Sequence, residues 1–381
     1  MTIYFVAGEV SADNHGAALM RSLRKLDPGL TFIGRGGPQM HEIAGKQFKN
    51  WIGDASVLGL WEVLRKYGYF REQFRETLKE ILESKPDTVV LIDYPGFNLR
   101  LARALRRQSR RQKIIYYISP QVWAWNRGRI KRMARFVDLV LCIFPFEADL
   151  YNQVGLRAVF VGHPTIERLR VRKIDTERDP NLIGLFPGSR SREVRKIFPV
   201  MLETARKLQK HNRTLRFEVA AASAELTREM SPTTAGPDQS QHRQAIQIKL
   251  DETAAIMQRA WAGIVASGSA TLEAAYFRLP FVLIYKVAWP TYLAARLVVN
   301  VKYLGMPNLL ADKEVVPEFI QYRAKPNAIV NALRSLMEDA DGRARMISEF
   351  DALVGKLGEG GASERAARAI IEEIGRSNET T

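Results

Sequence analysis

The 381-residue sequence has one cysteine, Cys142, so an intrachain disulfide and any metal site built on several thiolates are excluded. Cys142 lies in an apolar run, residues 137–144, which reads as a buried and inert thiol. Histidine is nearly as scarce, with five residues and no H-x-x-x-H pair, and no metal constellation is visible. No apolar run is long enough to span a bilayer. The nearest, residues 281–301, contains Lys286, Pro290, Arg296 and Asn300. The N-terminus lacks the basic start and long apolar stretch of a secretory signal, so the expectation is a cytosolic chain whose membrane contact is peripheral. Acidic residues are outnumbered, 41 against 57 Lys and Arg, leaving a net charge of +16. Such an excess suits nucleic acid, anionic lipid or phosphorylated substrates. No RNA- or DNA-binding motif is present, and Arg103, Arg106, Arg107, Arg110 and Arg111 read as spread along a helix, so nucleic acid is not expected as a partner.

What is present is repetition of one pattern. Short apolar runs alternate with longer amphipathic segments, the signature of βα units and parallel sheets. Strands are expected at residues 2–7, 31–34, 88–92, 113–118, 139–143 and 159–161, with helices at 16–26, 73–84 and 99–108. Residues 167–181 are charged, carry Pro180 and show no apolar period, so they read as a linker. The pattern restarts with strands at 182–186, 216–221, 246–250, 263–266 and 281–285, and helices at 194–210, 253–260, 270–277 and 326–337. Residues 230–241 have turn chemistry and read as a loop. The fold class is therefore α/β, with two Rossmann-like doubly wound domains, 1–166 and 167–381, facing a central cleft. The last helical stretch, 362–374, is free to pack back on either domain.

The chemistry-bearing residues sit where strands end. After the first strand, Gly8-Glu9-Val10-Ser11-Ala12-Asp13-Asn14-His15-Gly16 offers backbone N–H groups at a helix start, without the G-x-G-x-x-G dinucleotide spacing. Asp93, in Asp93-Tyr94-Pro95-Gly96-Phe97-Asn98, is either a general base or a helix cap or arginine partner. Trp123 and Trp125, with Arg127 and Arg129, suit a phosphorylated and partly apolar ligand, or else the core. Pro187-Gly188-Ser189-Arg190 joins a strand to a helix and reads as a diphosphate cradle without a Walker lysine. Ser267-Gly268-Ser269-Ala270-Thr271-Leu272-Glu273 repeats that logic, with Glu273 placed to accept from a ribose diol; two such loops in one domain point to a nucleotide.

These motifs, in this order, resemble the lipid-A-disaccharide synthase family along nearly the whole chain. The matching segments are residues 8–13, 37–40, 93–98, 119–125, 145–147, 161–164, 187–193, 267–273 and 307–310. Two positions depart from the family pattern. Ala12 stands where glycine is usual, and Gly96 where many members carry a second aspartate. The resemblance implies a GT-B glycosyltransferase of lipid A biosynthesis, inverting, with no metal and no cofactor. It would join UDP-2,3-diacylglucosamine to 2,3-diacylglucosamine 1-phosphate (lipid X) through a β-1,6 bond, working on the inner face of the cytoplasmic membrane. Asp93 would be the base and Arg190 would meet the charge on UDP. Gly188, Ser189, Ser267 and Glu273 would bind the nucleotide, with Asn308, Glu318 and Gln321 near the diphosphate or donor sugar. Ser11, Asp13 and Gly16 would line the acceptor side. Asp339-Ala-Asp341 has the spacing of the metal-binding D-x-D of other glycosyltransferases but follows a helix, and reads as a solvated turn. Residues 57–74, with Leu60, Trp61, Leu64, Tyr67 and Phe74 at near-helical spacing among Arg65, Lys66 and Arg71, are expected to face the membrane and hold acyl chains. The rival reading is another GT-B enzyme using UDP-N-acetylglucosamine, a peptidoglycan glycosyltransferase or a UDP-sugar 2-epimerase.

Overall fold

The structure, a computed structural model, describes residues 1–52, 67–109, 111–120, 128–234, 246–289, 292 and 302–378. These fall into two compact units, Met1–Glu167 with Leu357–Thr381, and Arg168–Lys356.

In the first unit, β1 (Thr2–Ala7), α1 (Val10–Leu26), β2 (Thr31–Gly36), α2 (Pro38–Ala44) and β3 (Phe48–Asn50) lead to α3 (Tyr67–Ser84). The chain continues through β4 (Thr88–Ile92), α4 (Pro95–Gln108), β5 (Lys113–Tyr117) and α5 (Gly128–Met133). It then forms β6 (Leu139–Cys142), α6 (Pro145–Asn152), β7 (Ala158–Phe160) and α7 (Pro164–Arg170). The sheet order is β3-β2-β1-β4-β5-β6-β7, every pairing parallel. A parallel sheet is covered on both faces, so its strands must be apolar on both. β1 shows this directly: Ile3, Phe5 and Ala7 enter one core, Tyr4 and Val6 the other. Cys142 is buried in the second of these, and burial pushes its thiol pKa up.

The second unit contains β8 (Asp179–Phe186), α8 (Ser191–His211), β9 (Arg216–Ala221), α9 (Ala224–Thr234), β10 (Ile246–Leu250), α10 (Thr253–Arg259) and β11 (Ala260–Ala266). It ends with α11 (Ala270–Tyr276), β12 (Phe281–Tyr285), α12 (Met306–Ala311), β13 (Glu318–Ile320), α13 (Pro326–Glu338) and α14 (Ala340–Lys356). Its sheet is β10-β9-β8-β11-β12-β13, again parallel throughout. The last helix, α15 (Ala362–Asn378), belongs to the first unit. Its Ala366, Ala367 and Ile370 join the core of Phe5 and Leu19, and its buried Glu373 pairs with Lys113 and Arg157.

Two expectations need correction. The charged segment 167–181 is not all linker, because α7 covers its start and β8 its end. Between them the Arg178 guanidinium donates to the carbonyls of Met257, Ala260 and Phe277, which tethers the stretch to the second sheet. The expected loop at 230–241 begins as helix, since α9 runs to Thr234. Asp339 closes α13, and its Oδ1 accepts the Gly342 N–H at 2.9 Å, so the D-x-D spacing there is helix-end chemistry. Among the described residues no helix is long and apolar enough to cross a membrane.

Candidate functional site

Each sheet reverses its strand order once, between β1 and β4 in the first unit and between β8 and β11 in the second. Ligands of doubly wound sheets bind beyond the strand ends at such a reversal. Asp93 follows β4 at the first reversal, and the loops at Gly188 and Ser267 follow β8 and β11 at the second.

The Asp93 loop is strained and heavily fastened. Asp93 and Tyr94 both hold left-handed backbone, φ 47° and 50°, a conformation costing on the order of 1 kcal/mol or more per non-glycine residue. It persists because the surroundings over-determine it. The Asp93 N–H donates to the Tyr117 carbonyl at 3.0 Å. The Asp93 carbonyl accepts from Asn98 Nδ2 at 2.9 Å and from the Tyr116 hydroxyl at 2.5 Å. The Tyr94 ring lies where a side chain on Gly8 would go, only 2.4 Å from an added Cβ, so glycine is required at that position. Trp51 and Phe97 pack edge-on at 5.2 Å beneath the loop, and Trp51 Nε1 donates to the Ala7 carbonyl at 2.7 Å.

This packing leaves the Asp93 carboxyl half-buried. Burial first, then the negative charge of Glu9, raises its pKa to about 6, against a smaller opposing hydrogen bond from the Tyr94 backbone. A carboxylate so placed is ionised at neutral pH yet basic enough to take a proton, which is what a general base needs. Sequence reasoning picked Asp93 but missed Glu9, Trp51 and Tyr116. Glu9 gave no signal beyond lying at the other strand end of the same reversal.

The expected acceptor-side residues Asp13 and Gly16 are both buried in the packing of α1. Asp13 is buried, and its carboxylate accepts the backbone N–H groups of Gly37, Gln39 and Met40, each at 3.0 Å. It therefore caps the start of α2. Gly16 is buried within 2.9 Å (added Cβ) of Met40 and Ile92, where it lets α1 close onto the sheet. Ser11 is exposed in the first turn of α1. Ala12 is an ordinary buried helical residue, so the family's glycine is not needed for backbone reasons here. An added Cβ at Gly96 meets nothing within 4 Å, so the family's second aspartate would project into open space.

In the second unit Gly188 (φ 101°) and Gly268 (φ 141°) open the two loops. An added Cβ at Gly188 would come no closer than 3.8 Å to Ala266, and at Gly268 it would meet nothing, so backbone conformation rather than space calls for glycine. Arg190 is the N-cap of α8, and no side chain caps that helix start. Ser189 and Arg190 are exposed, and Arg190 Nη1 lies 3.3 Å from Glu193 Oε1 in the first turn. An uncapped start of a 21-residue helix, a glycine turn and a guanidinium make a site for an oxyanion. Ser267 is half-buried, its hydroxyl 3.3 Å from the Leu304 carbonyl. Glu273 is held on Oε1 by Arg168 at 2.7 Å.

Asn308, Glu318 and Gln321, expected near the diphosphate or donor sugar, are held by bonds within the chain. Asn308 is fully buried; Nδ2 donates to the Val316 carbonyl and Glu318, while Oδ1 accepts from Val315 and Val316. Glu318 accepts the N–H groups of Leu304 and Gly305, and the Gln321 amide brackets Val287 through both its N–H and carbonyl. Apart from the bond between Asn308 and Glu318, these contacts are to backbone groups, which makes the three positioning residues for loops 286–289 and 302–306. Leu60, Trp61 and Leu64 lie outside the described residues, as do Trp123, Trp125, Arg127 and the Tyr67 side chain. Phe74, expected at the membrane face, is half-buried and packs 5.7 Å from Phe97 against the core.

A profile of the family described as lipid-A-disaccharide synthetase matches residues 3–369. A lipid-A-disaccharide synthase of Geobacter sulfurreducens is 38% identical over 98% of this chain and 97% of its own length. One from Myxococcus xanthus is 34% identical over 97% of both chains. Among solved structures, the UDP-GlcNAc 2-epimerase of Neisseria meningitidis bound to UDP-GlcNAc superposes with a TM-score of 0.62 at 13% identity, covering 98% of this chain and 100% of that one. Acinetobacter baumannii MurG does so with a TM-score of 0.57 at 13% identity, covering 97% and 99%. At such identities these two speak for the fold alone, the paired Rossmann-like GT-B architecture. The sequence relatives speak for more, and the chain belongs to the lipid-A-disaccharide synthase family.

Proposed function

We propose that the chain transfers 2,3-diacylglucosamine from its UDP-linked form to the 6-hydroxyl of 2,3-diacylglucosamine 1-phosphate, at the inner face of the cytoplasmic membrane. The products are UDP and a β-1,6-linked disaccharide 1-phosphate. The observation that carries the reading is the Asp93 carboxylate, fixed at the strand-order reversal with a pKa of about 6, in a chain of this family.

The chemistry is one displacement. Asp93 takes the proton of the acceptor hydroxyl while its oxygen attacks the donor's anomeric carbon. The bond from that carbon to the diphosphate oxygen breaks, and the configuration inverts. The charge gathering on UDP is met by Arg190, by the Gly188–Ser189 backbone and by the start of α8. Glu273, oriented by Arg168, accepts from the ribose hydroxyls. Ser11 is left as the acceptor-side residue with an exposed side chain.

The test is mass spectrometry of products formed from UDP-diacylglucosamine and the diacylglucosamine 1-phosphate, with EDTA present and absent. A tetraacyl disaccharide 1-phosphate formed equally in both is the expected result. No disaccharide from that pair, or synthesis that stops on chelation and returns with Mg²⁺, overturns the reading.

A further inference from the structure

Two stripes of arginine face one groove in the first unit. On α4, Arg100, Arg103 and Arg107 recur three and four residues apart, which places them on one side of the helix. On α5 and the turn after it, Arg129, Arg132 and Arg135 recur every three. They line adjoining cavities of about 210 and 460 Å³ that share Arg103, Arg132 and Phe136. The smaller cavity opens at Pro95 and Gly96, next along the chain from the Asp93 loop, and Leu99, Met133 and Phe136 give it an apolar floor. From Gly96 to Arg107 the groove follows α4 for roughly 16 Å at the α-helical rise.

A solvated helix face would mix signs and would not be concave. Here no carboxylate is among the described residues lining either cavity. Arg106 is engaged by Asp138, but among the described residues Arg100, Arg103, Arg107, Arg132 and Arg135 have no ion pair. Desolvation, then the like charges of Arg132 and Arg100, lowers the pKa of Arg129, so these cations crowd one another. Arginine forks match phosphate oxygens in pairs, and an apolar floor beneath them matches a hydrocarbon chain.

We propose that this groove seats a phosphorylated amphiphile, its phosphate among Arg100, Arg103, Arg129 and Arg132 and its acyl chain over Leu99, Met133 and Phe136. On the function proposed above, on which this assignment rests, that amphiphile is the acceptor. Its 1-phosphate hangs from C1 and its reacting 6-hydroxyl from C5 through C6, on the two carbons that flank the ring oxygen. The phosphate site must then be near the base without touching it, as a groove opening at Gly96 provides. The charge acting on Asp93 is Glu9's, and no guanidinium is among the causes of its shift.

The experiment compares wild type with the Arg103→Ala/Arg132→Ala variant, both checked by circular dichroism, on diacylglucosamine acceptors with and without the 1-phosphate. Wild type should lose roughly tenfold or more in kcat/KM when the phosphate is removed, as for a charge-assisted bond. The variant should lose as much on the phosphorylated acceptor, suffer no further loss on the other, and keep its KM for the donor. A phosphate penalty undiminished in the variant, or an equal loss on both acceptors, overturns the assignment. Calorimetry with dodecyl phosphate and dodecyl maltoside needs no turnover and so separates this proposal from the proposed reaction. Wild type should bind the phosphate preferentially and the variant should not; equal binding of both detergents by wild type overturns it. Flotation on phosphatidylcholine vesicles with and without phosphatidylglycerol gives the last arm. A variant that stops floating on the anionic vesicles yet keeps the phosphate penalty makes the groove a headgroup-docking surface, and the proposal fails.

Discussion

The two strand-order reversals of this molecule are built in opposite ways. In the first unit the loop after β4 carries no glycine at its left-handed positions, is braced by Tyr94, Phe97 and Trp51, and holds a half-buried carboxyl beside a second acid. In the second unit the loops after β8 and β11 turn on Gly188 and Gly268, stand exposed and end at an uncapped helix start with Arg190. A proton acceptor needs a fixed position and partial desolvation to be basic, and both require a rigid, packed loop. A site for a diphosphate needs backbone N–H groups that an anion can approach, which calls for small residues and open space. On the function proposed, the same topology therefore supports two chemistries, and the side chains beside the turn decide which.

Removing the acid should break the comparison most severely. Asp93→Asn keeps the shape of the loop but cannot take a proton, so turnover should fall about 10²- to 10⁴-fold. UDP affinity by calorimetry and the melting temperature should be retained. Near-native turnover would remove Asp93 from the mechanism and leave the strained loop without a catalytic purpose. Arg190→Ala should act next most strongly and on the other half. A charge-assisted bond is worth about 1.5–3 kcal/mol, so UDP affinity or turnover should drop roughly 10- to 150-fold. Unchanged values of both would mean that the exposed guanidinium contributes nothing to the anion site.

A smaller effect separates burial from charge at Asp93. With its pKa raised to about 6, the base is ionised at pH 7 and protonates as the pH falls through 6, so kcat/KM should decline with unit slope on the acid side. Glu9→Gln removes the second cause of that shift and leaves the first. The acid limb should then move to lower pH with its plateau unaltered. The linkage sign follows from the raised pKa: the folded state holds this proton more tightly, so Asp93 favours folding at low pH and loses that contribution as pH rises through about 6. An acid limb unmoved by Glu9→Gln would assign the whole shift to burial.

Much of this was legible from the residues. Strands at 2–7, 88–92 and 281–285 are found where the apolar runs place them, because a strand covered on both faces is apolar nearly throughout. Those at 216–221 and 246–250 are found despite Arg216, Glu218, Gln247 and Lys249, β10 being an edge strand. β3 (Phe48-Lys49-Asn50) and β13 (Glu318-Phe319-Ile320) were not foreseen, since each is short and mixed in polarity, whereas the equally short β7, Ala158-Val159-Phe160, is apolar throughout. Asp93, Gly188 and Arg190 stood out because they end strands, and the topology sets them at the reversals. Asp13, Asn308 and Gln321 were expected at ligands on the family resemblance alone. A buried polar side chain must find partners somewhere: for Asp13 and Gln321 these are backbone groups distant in sequence, and for Asn308 the nearby Val315 and Val316 backbone and the Glu318 side chain. The arginines of α4 read as spread along a helix because their counterparts on α5 lie more than twenty residues further along the chain, so the groove exists only once the two helices are side by side.

The smallest predicted effect concerns Glu193, where the open site of the second unit departs from what an anion wants. Glu193 lies in the first turn of α8, with Oε1 3.3 Å from Arg190 Nη1. Its charge occupies the positive end of the helix dipole and answers the guanidinium that a diphosphate would otherwise claim. Glu193 and Arg190 also act in opposite directions on the Tyr285 hydroxyl, whose pKa is raised by burial first and by Glu193 second, and lowered by Arg190, so all three groups share one field. An incoming diphosphate must displace the carboxylate from Arg190 or bind against its repulsion. Glu193→Gln keeps the shape and a hydrogen-bond-accepting oxygen and removes the charge. UDP affinity should therefore rise, by roughly two- to fivefold, the equivalent of about 0.3–1 kcal/mol for one charge at a helix start. The gain should shrink as salt is raised, because both groups are accessible to screening ions. Weaker binding by Glu193→Gln would mean that the carboxylate holds Arg190 in the orientation the diphosphate needs, and Glu193→Ala, which removes that support along with the charge, would then weaken it further.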